Sequence, residues 1–435
     1  LVKRGILASI AHTDALFEDV EVAFENGFTH MTHFYSGMST VRRINAYRYA
    51  GVIEAGYTMD EMTIEIIADG KHLPAELVRL ILKIKGCDKV ALVTDVGTID
   101  DESFNQACWQ GVKAWAEKNN IPYTYYQPSA DSTDARVLSV TQAIGEGADT
   151  IVMPGYLFGA ALTVVMQEYP DVNFIAVDVA AGDLTVDYTT FYDPAPNTAC
   201  LTFSEEQAGY LAGYAAVKDG YTKLGFLGGM AVPAVIRYGF GFVQGADAAA
   251  AEMGTAIEIN YTYGGQFFGD ANITAKMEGW YAAGTEVVFA CGGGIYTSAV
   301  DAAKKVEGAK VIGVDVDQAG VIANYAGDAD TSLTITSAMK GLYPTTVDTL
   351  TDVLINDKWD EYKGKIETLG LVSGDDASLN YVQIPTTTQF SDAFTQADYA
   401  AMVKAMFDGT IKVSNDIVNA PATTNVKVEW LGNLK

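Results

Sequence analysis

Histidine stops at residue 72. His12, His30, His33 and His72 are the four in the chain, and the long remainder of its 435 residues supplies none. Most of the sequence therefore lacks the side chain best suited to proton transfer near neutral pH. Cysteine is equally scarce. Cys87, Cys108, Cys200 and Cys291 lie far apart and form no Cys-x-x-Cys pair, so neither a zinc site nor a disulfide framework is signalled, and all four read as buried free thiols. No apolar run approaches the ~18 residues that a membrane span requires. Positive charge is also short: 28 Lys and Arg face 55 Asp and Glu, a net charge of −27. Such a surface repels a polyanion, which excludes nucleic acid as a partner and leaves small neutral or cationic ligands. What is present is globular in proportion, with 49% apolar and 19% charged residues. The first thirty residues from Leu1 contain no basic-then-apolar leader and no lipidation cysteine, so an upstream segment is expected.

Composition divides the chain near residue 87. Residues 1–86 hold nine basic and eleven acidic side chains, which leaves 19 basic and 44 acidic, net −25, for the rest. A single domain rarely splits its chemistry so unevenly, and at roughly 100–200 residues per domain the length allows two to four. The boundary falls at Lys85-Gly86-Cys87-Asp88.

In the first segment strand-like runs end in polar residues: Gly5–Ala11 before His12, Phe28–Thr32 before His33, and Thr63–Ala68 before Asp69. A helical stripe of Ala15, Phe17, Val20, Val22, Ala23 and Phe24 lies between the first two. This is a β/α pattern with polar side chains at strand C-termini, where eight-stranded (β/α) barrels keep their chemistry. Only three such strands are present, or four with Val90–Thr94, so open edges and no working active site are expected.

Ala11-His12-Thr13-Asp14-Ala15, Thr29-His30-Met31-Thr32-His33-Phe34-Tyr35-Ser36-Gly37-Met38, Glu65-Ile66-Ile67-Ala68-Asp69-Gly70-Lys71-His72 and Leu92-Val93-Thr94-Asp95 follow in order. They resemble the middle of N-acetylglucosamine-6-phosphate deacetylase, a metal-dependent amidohydrolase on a TIM barrel. The resemblance implies a divalent metal such as zinc held by His12 and His33, with His72 contacting substrate and Asp95 as general base. It also departs from the family. The glutamate metal ligand would precede Leu1, Ser36 stands where asparagine is usual, and everything after Asp95 is foreign to it.

From Lys89 onward strands and helices alternate with short connections. Apolar strands are expected at Val90–Thr94, Thr150–Met153, Asn173–Val177, Leu224–Leu227, Ile257–Tyr261, Val287–Ala290 and Val311–Val314. Helical patterns lie between them, for example Ser103–Lys118, Ser204–Lys218 and Val235–Glu252. Repeated βα units imply doubly wound parallel sheets, and this many imply two lobes. Ligands of such sheets bind beyond the strand C-termini. Asp95, Gly155-Tyr156, Asp178, Gly228-Gly229, Gly292-Gly293-Gly294 and Asp315 stand there. Singly, each aspartate suits a helix N-cap and Phe104 suits a core stripe; together they point to one cleft. Thr386–Gln389 and Asn425–Lys435 are weakly patterned and suggest no role.

The motifs Asp95-Val96-Gly97, Asp101-Glu102-Ser103-Phe104-Asn105-Gln106, Phe174-Ile175-Ala176-Val177-Asp178, Val235-Ile236-Arg237-Tyr238-Gly239-Phe240-Gly241-Phe242, Ile312-Gly313-Val314-Asp315-Val316-Asp317-Gln318 and Thr336-Ser337-Ala338-Met339-Lys340 occur in that sequence. From about residue 88 to beyond 400 they resemble the basic membrane protein family of bacterial lipoproteins, which includes purine nucleoside receptors serving ABC importers. The resemblance implies a two-lobed type I periplasmic-binding-protein fold, lobe 1 formed by residues 87–195 and 318–345 and lobe 2 by residues 196–317 and 346–435. Hinge crossings are expected near residues 192–198, 315–320 and 334–337. It further implies an extracytoplasmic, lipid-anchored monomer without cofactor or catalysis, handing adenosine, guanosine or inosine to a transporter permease. Phe104 and Tyr238 would clamp the base, and Asp95, Asn105, Asp178, Gly293, Asp315 and Lys340 would complete the site. The stretch from Asp88 to Asp95 fits both families, which is where two unrelated coding sequences would cross over.

Overall fold

A computed structural model describes residues 2–4, 6–59, 61–67, 71–85, 90–95, 97–328 and 330–434. Asp69, Cys87 and the expected junction at residues 86–88 lie outside the described residues. The chain forms two compact units, Leu1–Asp88 and Lys89–Lys435.

In the smaller unit β1 (Ser9–Ile10), β2 (His30–Met31) and β5 (Thr63–Ile64) form a parallel sheet in the order β1-β2-β5, and β3 (Arg42–Ile44) and β4 (Tyr47–Tyr49) form an antiparallel hairpin. Helices Phe17–Glu25, Val52–Thr58 and Ala75–Lys85 accompany them. The expected strands are present but reduced to two residues each. Ile10, Val20, Met31, Phe34, Val52 and Met62 supply the core. Among the described residues the parallel sheet has three strands, against the eight of a closed barrel.

The larger unit runs through β6 (Val90–Val93), β7 (Tyr123–Tyr126), β8 (Thr150–Pro154), β9 (Asn173–Val177), β10 (Thr198–Phe203), β11 (Lys223–Gly228), β12 (Ile257–Tyr263), β13 (Val287–Cys291), β14 (Lys310–Asp315), β15 (Thr334–Lys340), β16 (Lys365–Leu369), β17 (Val382–Gln383) and β18 (Val426–Asn433). The expected strands are recovered, and β9 keeps its bounds. They build two sheets, β16-β10-β9-β8-β6-β7 and β17-β15-β14-β13-β11-β12-β18, parallel except that β17 pairs antiparallel with β15. Helices between the strands bury apolar faces such as Phe158, Leu162 and Val165 in the first lobe and Ile273, Met277 and Trp280 in the second. The segment after Asn425, to which the sequence assigned nothing, is a strand parallel to β12.

The lobe boundaries differ from expectation. β10 and β16 belong to the first sheet, whereas β15, expected in lobe 1, belongs to the second. A strand covered on both faces looks the same in either sheet; only its pairing partner decides membership. The crossings move accordingly. The chain passes between lobes at Phe203–Glu205, at Lys340–Leu342, and between β16 and β17, not at residues 192–198, 315–320 or 334–337. The three passages are hydrogen-bonded to one another: Ser204 N–H donates to the Leu369 carbonyl at 2.9 Å, Gly341 N–H to Tyr381 at 2.7 Å, and Tyr381 N–H to Gly370 at 3.1 Å.

Helices Glu205–Lys218 and Pro233–Met253 lie in backbone contact. A Cβ at Gly209 or Gly213 would stand 2.1 Å from the carbonyl oxygen of Tyr238 or Phe242 respectively, and one at Gly241 or Gly245 would stand 2.1 or 2.0 Å from that of Glu206 or Tyr210. Four glycines at i, i+4 spacing on two helices thus allow an approach that any side chain would block. That approach carries Glu205 against Arg237 beside Tyr238.

Candidate functional site

Asp178 follows β9 and Asp315 ends β14. Their backbones are left-handed, with φ of +63° and +64°. For residues other than glycine this costs of order 1–3 kcal/mol and is characteristic of functional positions. Both carboxylates face Lys340, the last residue of β15. Its ammonium pairs with Asp178 Oδ2, with Glu205 Oε1 at 3.3 Å and with Asp315 Oδ1 at 3.8 Å, and its side chain is 2% exposed. Arg237 Nε donates to Glu205 Oε2 at 2.6 Å. Ser103 Oγ donates to Asp315 Oδ2 at 2.7 Å, and the Tyr238 hydroxyl lies 3.5 Å from Asp315 Oδ1.

Burial sets the electrostatics. It pushes Asp178 up to about 6, against the attraction of Lys340, and raises Asp315 in the same way. Burial alone would lower Lys340; Asp178, Glu205 and Asp315 outweigh it and hold the ammonium above its ordinary value. The ammonium also stands 4.7 Å from the ring centre of Phe104, 5.5 Å from Phe203 and 5.8 Å from Tyr238, within the range of cation–π attraction.

This cluster borders a cavity of about 380 Å³ between the lobes. All eight residues expected to bind ligand line it: Asp95, Phe104, Asn105, Asp178, Tyr238, Gly293, Asp315 and Lys340. Their local roles differ. Tyr238 is 1% exposed, with its ring edge-on to Phe289 at 6.1 Å, so little of its face is open. Asp101 is a helix cap, accepting from the backbone N–H of Ser103, Asn105 and Gln106. A Cβ at Gly155 would stand 1.7 Å from Asp95 Oδ2, so glycine there makes room for that carboxylate. Gly293 makes room for protein rather than ligand alone, since a Cβ there would stand 2.8 Å from the Phe267 carbonyl oxygen.

The sequence reading missed Glu205 and Arg237 as parts of the site, and the aromatic walls Phe267 and Phe268. Gly209-x-x-x-Gly213 and Gly241-x-x-x-Gly245 were the available signal for the first two, because paired spacings of this kind mark helices in backbone contact. The lobes also touch at the rim: Tyr296 Oη donates to Glu102 Oε2, and Gln318 Nε2 donates to the Glu102 carbonyl at 3.2 Å.

In the smaller unit His12 and His33 stand just past β1 and β2 with φ of +40° and +36°, and their ring centres are 4.4 Å apart. Among the described residues no group of three His, Cys, Asp or Glu side chains is arranged to hold a metal ion. Among the described residues, too, no helix is long and apolar enough to cross a membrane.

Comparison with known proteins gives the larger unit its relatives. Residues 88–396 match the family described as ABC transporter substrate-binding protein PnrA-like. The chain is 31% identical over 248 residues to the ABC transporter nucleoside-binding protein BmpA of Lactococcus lactis, spanning 54% of this chain and 66% of that protein. It is 30% identical over 237 residues to basic membrane protein A of Borreliella burgdorferi, spanning 53% and 64%. The chain thus matches just under two thirds of the length of each. A solute-binding protein of an ABC transporter system from Aeropyrum pernix shares the fold, with a TM-score of 0.57 at 22% identity, covering 75% of this chain and 87% of that one. With the family match covering most of its length, this chain belongs to the PnrA-like family of ABC transporter substrate-binding proteins.

Proposed function

We propose that the larger unit captures a purine nucleoside between its lobes and presents it to the permease of an ABC importer. The observation that carries this reading is the Lys340 cluster. It sets buried carboxylates and an ammonium, which suit ribose hydroxyls and ring oxygens, beside the ring of Phe104, which suits a flat base. Asp178 Oδ1 has no hydrogen-bond partner in the protein, so a ribose hydroxyl can donate to it. Asp315 and Asn105 supply further acceptors and donors, and Phe104 flanks the base while Tyr238, with little of its face open, closes the wall of the cavity. A cavity of about 380 Å³ is within the usual span for small-molecule sites, roughly 300–1,000 Å³. Closure turns on the three passages at Ser204, Gly341 and residues 370–381, a hinge arrangement. The family binds its substrate for transport and does not convert it. The nucleoside-binding BmpA relative supports the ligand class.

Titration calorimetry against adenosine, guanosine and inosine, with free bases, pentoses and amino acids as comparators, tests the assignment. Micromolar binding of nucleosides is expected. Binding of a sugar or an amino acid with no response to nucleosides overturns it. The reading also places the protein outside the cytoplasmic membrane, lipid-anchored and monomeric.

For residues 1–86 we propose descent from a deacetylase barrel without its activity. The order of β1, β2 and β5, with His12 and His33 at strand ends, supports the ancestry. Metal-dependent release of acetate from N-acetylglucosamine 6-phosphate by the whole chain would refute the loss of activity. A continuous product amplified from source DNA across codons 80–100 would contradict an assembly error at the join.

A further inference from the structure

The buried charges around the cavity do not balance. Among the described residues Asp178, Glu205 and Asp315 share Lys340 and Arg237 as their cations, and Arg237 also acts on a further buried carboxylate, Glu206, whose Oε2 has no hydrogen-bond partner. Four carboxylates against two cations cannot all be ionised in a dry interior without a large electrostatic penalty, and the ordinary outcome is that some retain a proton. Hydrogen bonding distinguishes the four. Glu205 has both oxygens engaged, by Lys340 and Arg237. Asp315 has both engaged, by Ser103 and Tyr238. Asp178 has Oδ2 on Lys340 and Oδ1 on nothing, and it lines the cavity where a ligand can reach it. Glu206 also has an unengaged oxygen but is not among the residues lining the cavity.

We propose that ligand capture expels a proton from this cluster, with Asp178 as the group that gives it up. The inference rests on the nucleoside reading above. The protonated Asp178 carboxyl loses its proton to solvent, and the carboxylate then accepts a hydrogen bond from a ligand hydroxyl, so one proton appears in solution per ligand bound below the titration midpoint. The charged and titratable groups around Asp178 are Lys340 from β15, Asp315 from β14 on the same ammonium, Glu205 from helix Glu205–Lys218, Arg237 and Tyr238 from helix Pro233–Met253, and Cys108 from helix Phe104–Asn119. Among these Lys340 and Arg237 favour the ionised form and Glu205 opposes it, while burial is the largest influence and also opposes it. That Asp178 is pushed up to about 6 is consistent with a proton held on the acid side of neutrality.

The test is calorimetry of the whole chain with adenosine or inosine at pH 5, 6, 7 and 8, each in two buffers of different ionisation heat. The dissociation constant should be about tenfold weaker at pH 5 than at pH 7 and level above, since one pH unit below the midpoint leaves about a tenth of the groups ionised. The buffer dependence should report proton release near pH 5.5. Glu206→Gln should keep this slope, and Asp178→Asn should weaken binding and flatten the slope. Binding of equal strength at every pH with buffer-independent heat overturns the proposal, as does proton uptake. A slope lost in Glu206→Gln overturns the assignment to Asp178. Failure to bind nucleosides at any pH overturns the ligand reading itself, a result distinguishable from pH-independent binding.

Discussion

Asp178 and Asp315 are counterparts in two separate sheets. Each leaves the C-terminal end of the strand flanked by β8 and β10 or by β13 and β15, each is left-handed at φ near +63°, and each turns its carboxylate toward Lys340. The ammonium therefore binds one lobe to the other through Asp178, since Asp315 shares the second sheet with Lys340. It does so from Lys340, immediately before the Gly341 crossing.

Removing that ammonium should be costly. Lys340→Met leaves Asp178, Glu205 and Asp315 buried without their shared cation, and breaking a buried pair typically costs about 3–5 kcal/mol. Without Lys340 the folded-state values of Asp178 and Asp315 rise further above their unfolded ones. Stability is then fullest below the unfolded value and falls as pH rises. Thermal melts of the variant should show a larger deficit at pH 8 than at pH 5. A deficit independent of pH would contradict the cluster.

Phe104 and Asp315 should separate base from sugar. Phe104→Ala removes a stacking face, about 1–3 kcal/mol, so nucleosides and free bases should both weaken by about tenfold or more. Asp315→Ala should weaken nucleosides more than free bases. Calorimetry on both variants checks this, and normal nucleoside binding by Phe104→Ala would contradict the assigned role of its ring.

Gly213→Ala offers a test of the helix pair whose sign is unusual. In an ordinary helix the change stabilises by about 1 kcal/mol. Here the new methyl would stand 2.1 Å from the Phe242 carbonyl oxygen, so a loss of about 1–3 kcal/mol is expected instead. Denaturant unfolding measures it; a stabilised variant would mean the helices can separate freely.

Glu206 should make the protein less stable as pH rises. Burial pushes its carboxyl up to about 7 from an ordinary 4.5, so the folded state holds a proton that the unfolded state has lost. Stability is full below about 4.5 and declines until about 7. Glu206→Gln removes the titration and should melt higher than the parent at pH 8, with little difference at pH 4.5. An unchanged pH profile would exclude Glu206 as its source.

Much of the site was legible because its chemistry sits at predictable places. Apolar runs such as Asn173–Val177 specify buried parallel strands, and in parallel sheets the residue after the strand faces the ligand. That rule alone brought Asp95, Asp178 and Asp315 together, and the motif resemblance added Phe104, Tyr238 and Lys340. Glu205 escaped because it opens an ordinary-looking helix, and nothing local to it signals Arg237 across the helix pair. Tyr238 was legible as an aromatic wall, but its burial against Phe289 was not.

By itself the sequence determined the two compositions joined near residue 87, the βα alternation and the strand-end acids, since periodicity and turn chemistry are local properties of a chain. Only the tertiary structure decided that β10 and β16 share the first sheet, that β15 joins the second, and that the crossings fall at Ser204, Gly341 and residues 370–381. Sheet membership depends on which edge a strand finds, and the charge state of Asp178 depends on water excluded by residues distant in sequence. Neither is encoded in any short window.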